Sequence, residues 1–250
     1  MTEVLEATAI STLEKILKTL GEQVTEGRTS KDLEQIASLL CSPCGLDVKP
    51  VFPGQKPEGH TDGYPNILCV SVNNEVIHGL PNDIPFAEGD VVSIDCGIRE
   101  NGLIYDGAIT VLVGPRDAEG RVRGCSATAR KLVQATQEAL EAGIAVAKIG
   151  NTNWSITEAI EEVVKRNGFN VVEGYGGHGI LGDQLHAEPF IANRMADNKG
   201  KAVPLVSGQR LAIEPMVATN SGATYVDKNG WTVKVRTGIA AHFEKTIIVP

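Results

Sequence analysis

The chain has 250 residues, 42% of them hydrophobic and 22% charged, with a formal net charge of −8. That length holds one large core or two fused halves, and the acidic balance argues against general binding to nucleic acid or anionic membranes, whose phosphates would repel it. The five cysteines, an odd number, imply no disulfide framework, and with no basic leader or long apolar run a cytoplasmic protein is expected.

Leu13, Ile16, Leu17 and Leu20 recur at helical spacing and predict an amphipathic helix over 11–20, ended by Gly21. Thr29 or Ser30 caps a second helix with Leu33, Ile36, Ala37 and Leu40 on its inner side. Cys41 and Cys44 make a single Cys-x-x-Cys with no second pair at zinc spacing, so no structural zinc is expected there. Residues 44–66 are rich in turn formers and read as a long loop or loose hairpin, a kind of segment that tends to carry function. Strands follow over 67–72 and 75–79, the second reaching His78 just before the turn Gly79-Leu80-Pro81.

Along 91–98, period-2 alternation puts Val92, Ile94, Cys96 and Ile98 on one face and Asp95 on the other. A carboxylate in such a run needs a metal, a basic partner or solvent on its face. Past the turn Glu100-Asn101-Gly102 comes Asp106, which leads into a strand over 109–114. A helix over 124–142 turns Leu132, Val133, Thr136 and Leu140 inward. Another, over 152–165, carries Ile156, Ile160, Val163 and Val164 on one face and stops at Asn167-Gly168. Two helix pairs, each accompanied by strands, predict an α+β architecture with rough internal duplication, although no sequence repeat marks it. Glycines on both sides of His178 leave it uncrowded and able to approach a ligand. His186 follows, and Glu214 and Glu244 stand inside apolar strands over 211–217 and 241–250, with a hairpin turn over 222–231 between them.

Asp95, Asp106, Glu214 and Glu244 are therefore acids in or at the ends of apolar strands. Either each has its own basic partner, or they converge and need a cation against mutual repulsion. Four carboxylates with the imidazole of His178 are a natural set for two divalent ions. Mixed oxygen and nitrogen ligands suit Mn, Fe, Co or Zn more than Ca. His78 and His186 then remain for contacting substrate or moving protons.

The order and spacing of these residues resemble the type I methionine aminopeptidases, of the pita-bread (creatinase/aminopeptidase) fold. The resemblance is carried by Gly63-Tyr64-Pro65, Cys69-Val70-Ser71-Val72-Asn73, His78-Gly79-Leu80-Pro81, Ile94-Asp95 and Tyr105-Asp106 in the first half. In the second half it is carried by Gly177-His178-Gly179-Ile180, His186-Ala187-Glu188-Pro189, Ile213-Glu214-Pro215-Met216 and Phe243-Glu244-Lys245-Thr246. It implies one catalytic domain over residues 1–250, a pseudo-two-fold antiparallel sheet with two pairs of covering helices. It implies that Asp95 chelates one divalent ion, that Asp106 and Glu244 bridge two, and that His178 and Glu214 complete the other. Glu214 would also be the general base, His186 would hydrogen-bond the scissile amide, and His78 would hold or protonate the peptide nitrogen. Tyr64, Cys69 and Trp231 would wall the methionine pocket. The implied partners are nascent peptide N-termini, with transient ribosome contact following from that job, and a monomer is expected.

The chain departs from the family pattern at four places. Gly107 stands where a Thr or Ser is usual, the segment from His178 to His186 is longer, Leu185 replaces an aromatic, and the 56–62 loop is polar. All five ligand positions are spared, so these changes bear on side-chain preference. The alternatives are a same-fold aminopeptidase with another N-terminal preference, a proline-specific one included, and a non-catalytic peptide- or ribosome-binding protein of this fold.

Overall fold

The computed structural model describes residues 2–41, 48–56 and 61–250, of which 2–7 by backbone path alone. Cys44 and residues 57–60 of the 56–62 loop lie outside the described residues. The chain opens with α1 (Thr2–Glu22) and α2 (Ser30–Leu40), followed by β1 (Val48–Pro50), β2 (Leu68–Val72) and β3 (Glu75–Ile77). Next come β4 (Val91–Cys96), β5 (Ile98–Glu100), β6 (Leu103–Tyr105) and β7 (Gly107–Leu112). The second half repeats the plan with α3 (Ala127–Val146), α4 (Asn153–Arg166), β8 (Asn170–Val171), β9 (Gly176–Leu181) and β10 (Gln184–Ala192). It ends with β11 (Arg210–Ile213), β12 (Met216–Ala218), β13 (Thr224–Val226), β14 (Val233–Val235), β15 (Ala240–His242) and β16 (Glu244–Ile248). Among the described residues no helix is long and apolar enough to cross a membrane.

Seven antiparallel strands form the main sheet in the order β10-β9-β11-β16-β7-β4-β2. Its centre is the β7–β16 pair, where Ala108 stands opposite Glu244. About that point the halves match: β4 pairs β7 on one side as β11 pairs β16 on the other. The duplication that the residues do not spell out is thus present in the hydrogen-bond register. Three short sheets flank the main one, and several strands pass from one sheet to another by breaking at a single site.

The apolar stripes of the helices close the back of this sheet. Leu13, Ile16, Leu17 and Leu20 of α1 and Leu33 and Ala37 of α2 pack on Val70, Val92, Ile94 and Cys96. Leu132, Ala135 and Ala139 of α3 and Ile156, Ile160 and Val164 of α4 pack on Leu211 and Ile213. Each fully buried aliphatic side chain contributes about 1.5–3 kcal/mol. The alternation read from β4 therefore holds, with Ile94 toward the helices and Asp95 away from them. Thr29 caps α2, accepting from the Asp32 amide while the Asp32 carboxylate accepts from the Thr29 amide.

Several local expectations are corrected. Gly21 does not end α1; it lies inside the helix, where a Cβ would come within 2.8 Å of Ile109, so its role is close packing against β7. Leu40 is half exposed at the end of α2, away from the core. The run over 211–217 is two strands that part at Glu214-Pro215, and the run over 241–250 parts at Phe243, leaving Glu244 at the head of β16.

The glycines around His178 also act differently from expectation: they crowd. A Cβ on Gly177 would lie 2.2 Å from the Ala212 carbonyl oxygen, and one on Gly179 would lie 2.1 Å from the Glu188 oxygen. They let β9 run tight between β10 and β11, which fixes His178 opposite Ala212. Gly177→Ala is expected to destabilise the fold by about 3 kcal/mol or more, since backbone rather than a flexible side chain must yield. Urea denaturation measures this, and a midpoint equal to the parent's contradicts it.

Candidate metal centre and its cavity

Cross-strand register assembles the acids. Cys69, Asp95, Ala108 and Glu244 stand side by side across β2, β4, β7 and β16, on the face away from the helices. Glu214 sits one step beyond the last paired residue of β11, where Pro215 stops the ladder, and Asp106 immediately precedes β7. His178 reaches the same face from β9. One cavity is lined by Asp95, Asp106, His178, Glu214 and Glu244 together with His78, His186, Tyr64, Cys69 and Trp231. Every site residue predicted from sequence is therefore brought to one place. Asp106, His178 and Glu244 are the tightest group, each offering an atom within 4.8 Å of the others.

Among the described residues no Lys or Arg lines the cavity, so these acids have no permanently charged partner there. Asp95 Oδ1 and Glu244 Oε1 are buried without a hydrogen-bond partner among the described residues. The His178 Nδ1–H donates to the Gly179 carbonyl at 3.1 Å, which leaves the Nε2 lone pair facing Glu214 Oε1 at 3.5 Å. Acceptor facing acceptor is unfavourable unless a cation or proton lies between them. Burial, reinforced by the neighbouring acids, pushes the Asp95, Glu214 and Glu244 carboxyls well up, and burial raises Asp106 to about 7. Burial lowers His178 to about 4, with the charge of His186 as a lesser cause, and burial also lowers His186. Oxygen donors without partners, raised carboxyls and an imidazole with a free lone pair fit a divalent-metal site.

The local backbone aims each group. Thr246 grips Asp106 by accepting from its amide and donating to its carbonyl, both at 2.8 Å. A Cβ on Gly107 would face Leu13 and Leu17 of α1 at 3.2 and 3.3 Å, so the family's missing hydroxyl belongs to the helix side and its loss leaves the cavity unchanged. His78 has φ 57, an uncommon conformation for a non-glycine residue that turns the chain into the cavity wall. Gly79 permits that turn, because a Cβ there would lie 2.1 Å from the Val70 oxygen. The extra length before His186 is absorbed by a register shift between Gln184 and Ala187, and the His178 and His186 rings stay 4.5 Å apart. Asp183 at that hairpin tip pairs with Arg99 of β5.

One wall of the cavity is apolar. Tyr64 stacks edge-on to Trp231 at 5.1 Å and to Phe52 at 6.3 Å, and its hydroxyl donates to the Leu68 carbonyl at 3.0 Å, with the Gly79 carbonyl at 3.1 Å. Leu185 completes this wall, and Phe52, Gln55 and Ile77 also line the cavity, though sequence reading did not single them out. His242 was missed as well. It is 1% exposed, behind the cavity wall, with Nε2 3.7 Å from Glu214 Oε2. Its place in Ala241-His242-Phe243-Glu244, just ahead of a candidate ligand, was the one signal available.

The model of metallopeptidase family M24 matches residues 5–250. The methionine aminopeptidase of Aquifex aeolicus is 41% identical over 237 residues, covering 94% of this chain and 87% of that protein. Methionine aminopeptidase 1 of Mycobacterium tuberculosis is 37% identical over 242 residues, covering 93% and 83%. The crystal structure of the Thermotoga maritima methionine aminopeptidase superposes with a TM-score of 0.84 at 36% identity, covering 96% of this chain and 90% of that one. The prolidase of Pyrococcus furiosus, at 20% identity and a TM-score of 0.69, shares the pita-bread fold over 99% of this chain and 60% of its own.

The raised acids set a pH dependence for the metal-free protein. Asp106 titrates near 3.8 unfolded and near 7 folded, so its contribution is whole below 3.8 and is lost as pH rises through 7. His178, lowered from 6.5 to about 4, acts oppositely: its contribution is whole above 6.5 and lost as pH falls through 4. Buried His242, lowered from 6.5 to about 3, acts in the same sense as His178. Above pH 6.5 the acids dominate, and the metal-free protein should lose stability up to pH 8, by about 1.4 kcal/mol per pH unit for each acid still protonated. Thermal melts at the two pH values check this, and a flat or rising profile contradicts it.

Proposed function

The chain belongs to metallopeptidase family M24, and from that premise we propose that it removes the N-terminal methionine from peptides and nascent proteins by metal-dependent hydrolysis. The observation that carries the reading is the convergence of four buried carboxyls with the imidazole of His178 in a cavity that no Lys or Arg lines among the described residues. Asp95, Asp106, His178, Glu214 and Glu244 would hold two divalent ions, from among Mn, Fe, Co and Zn, as their oxygen and nitrogen donors suit. Ions held there supply Lewis-acid polarisation of the scissile carbonyl and make an attacking water more acidic.

The chain's own groups do the rest. Glu214 takes a proton from the attacking water. His186, kept neutral by burial, hydrogen-bonds the scissile amide. His78 holds the peptide nitrogen from the opposite wall, with its backbone carbonyl accepting from Thr232 at 3.4 Å. Tyr64, Cys69, Trp231, Phe52 and Leu185 take the methionine side chain at the apolar wall. All of these groups come from one chain, which supports a single catalytic domain over 1–250 acting as a monomer. Work on nascent chains, with transient ribosome contact, makes the cytoplasm the fitting compartment.

The test is release of free methionine from a Met-Ala-Ser peptide as metal-free protein is titrated with Mn, Fe, Co or Zn. Activity that saturates at two equivalents and falls when leucine replaces methionine is the expected result. Cleavage of Xaa-Pro peptides instead would favour the proline-specific alternative, and no metal-dependent cleavage of either would favour a binding protein. Glu244→Ala should lower turnover by about a thousandfold or more; near-parental turnover with unchanged metal content rejects the ligand set.

Leu185, in place of an aromatic, leaves the pocket wall less filled. Leu185→Phe should change the methionine-to-leucine ratio of kcat/KM by about tenfold. An unmoved ratio removes Leu185 from the specificity wall.

A further inference from the structure

We propose that His242 is a positioning residue for Glu214, its imidazole holding the carboxylate in the orientation that the metal ions and the attacking water require. This rests on the reading of Glu214 as ligand and base. His242 is absent from the residues lining the cavity, so it acts through Glu214 and not on substrate. Its Nε2 is buried without a hydrogen-bond partner among the described residues, and Glu214 Oε2 lies 3.7 Å from it. The other oxygen of Glu214 faces His178 Nε2 at 3.5 Å, and its main-chain carbonyl accepts from Asn193 Nδ2 at 2.7 Å. Glu214 thus lies between two imidazoles on a fixed backbone.

The sheet's pseudo-dyad gives independent support. The dyad passes through the Ala108–Glu244 pair of β7 and β16. Counted outward from that pair, Asp106 maps onto His242 and Thr246 onto Thr110. The Thr246 hydroxyl grips the Asp106 main chain at both N–H and C=O. The Thr110 hydroxyl grips His242 in the same manner, accepting from its N–H at 3.0 Å and donating to its C=O. Because that proton is committed, the Ser93 hydroxyl must donate to Thr110, at 2.8 Å. One threonine clamp therefore aims a carboxylate into the cavity, and its symmetry mate aims an imidazole at Glu214. The second half of the chain has kept the clamp and changed the group it holds.

The test compares His242→Leu, His242→Gln and Thr110→Val in peptide hydrolysis and in calorimetric Mn(II) titration of the metal-free proteins. His242→Leu should lower kcat and Mn(II) affinity each by about tenfold to a hundredfold, with KM within about twofold. His242→Gln restores an N–H donor and should recover most of both. Thr110→Val should move the same two quantities in the same direction. Parental kcat and affinity in His242→Leu overturn the proposal, as does a folded His242→Gln no better than His242→Leu. Where the leucine variant does not fold, Thr110→Val decides: parental values there overturn it. Glu214→Gln separates the two readings. If its Mn(II) affinity is parental, the ligand assignment of Glu214 fails; if it falls while His242→Leu binds normally, only the role of His242 fails.

Discussion

Four carboxyl groups share one buried cavity that no lysine or arginine lines among the described residues, and the rest of the molecule is arranged around that constraint. Buried like charges repel, and each would protonate or move apart if the chain allowed it. The chain does not let them move apart, because each acid hangs from a strand whose neighbours are set by backbone hydrogen bonds, so protonation or a cation must offset the repulsion. Asp95 and Glu244 flank Ala108 in one cross-strand row, and Thr246 fixes the backbone of Asp106. The helices pack only on the opposite face, so the apolar burial that stabilises the sheet is kept apart from the charge that strains it. A divalent cation offsets that strain, which makes metal binding and folding stability two views of one equilibrium.

The pseudo-dyad explains how one face comes to carry so many acids, and also why it does not carry more. Asp95 and Glu214 occupy matching places on β4 and β11, each beside the central pair. The match of Glu244 is Ala108, and the match of Asp106 is His242. A strictly symmetric site would set six carboxyls around one cavity. Reducing one position to a methyl group and another to an imidazole lowers the repulsion and leaves room at the centre of the row. The asymmetry is therefore part of the chemistry: symmetry supplies the framework, and departures from it supply the charge balance.

Much of this was legible in the residues because it depends on local pattern. The face of Asp95 follows from alternation along β4, the start of α2 from a cap at Thr29 or Ser30, and the end of α4 from Asn167-Gly168. What was not legible depends on neighbours distant in sequence. The runs around Glu214 and Phe243 look continuous as apolar text, yet each divides between two sheets. Gly21 looks like a helix stop, and only the proximity of Ile109 shows that it is a packing contact. The glycines beside His178 look like freedom, whereas carbonyl oxygens at 2.1 and 2.2 Å make them a requirement of crowding. His242 carried only its place two residues before Glu244 as a signal, since its partner Glu214 and its clamp Thr110 lie on other strands.

The electrostatics of the cavity also bear on why it acts at a chain terminus. His178 and His186 are pushed down by burial and carry no charge at neutral pH, so the field inside is set by the acids and by whatever cations they hold. Tyr64, Trp231, Phe52 and Leu185 form an apolar wall beside the acids, so one cavity offers a substrate both a polar and an apolar side. An N-terminal amine can offer its lone pair to a cation held by those acids, which the nitrogen of an internal peptide bond cannot. The carboxyls that demand the metal thus also favour a terminal amine beside it, and the apolar wall is left to choose among side chains.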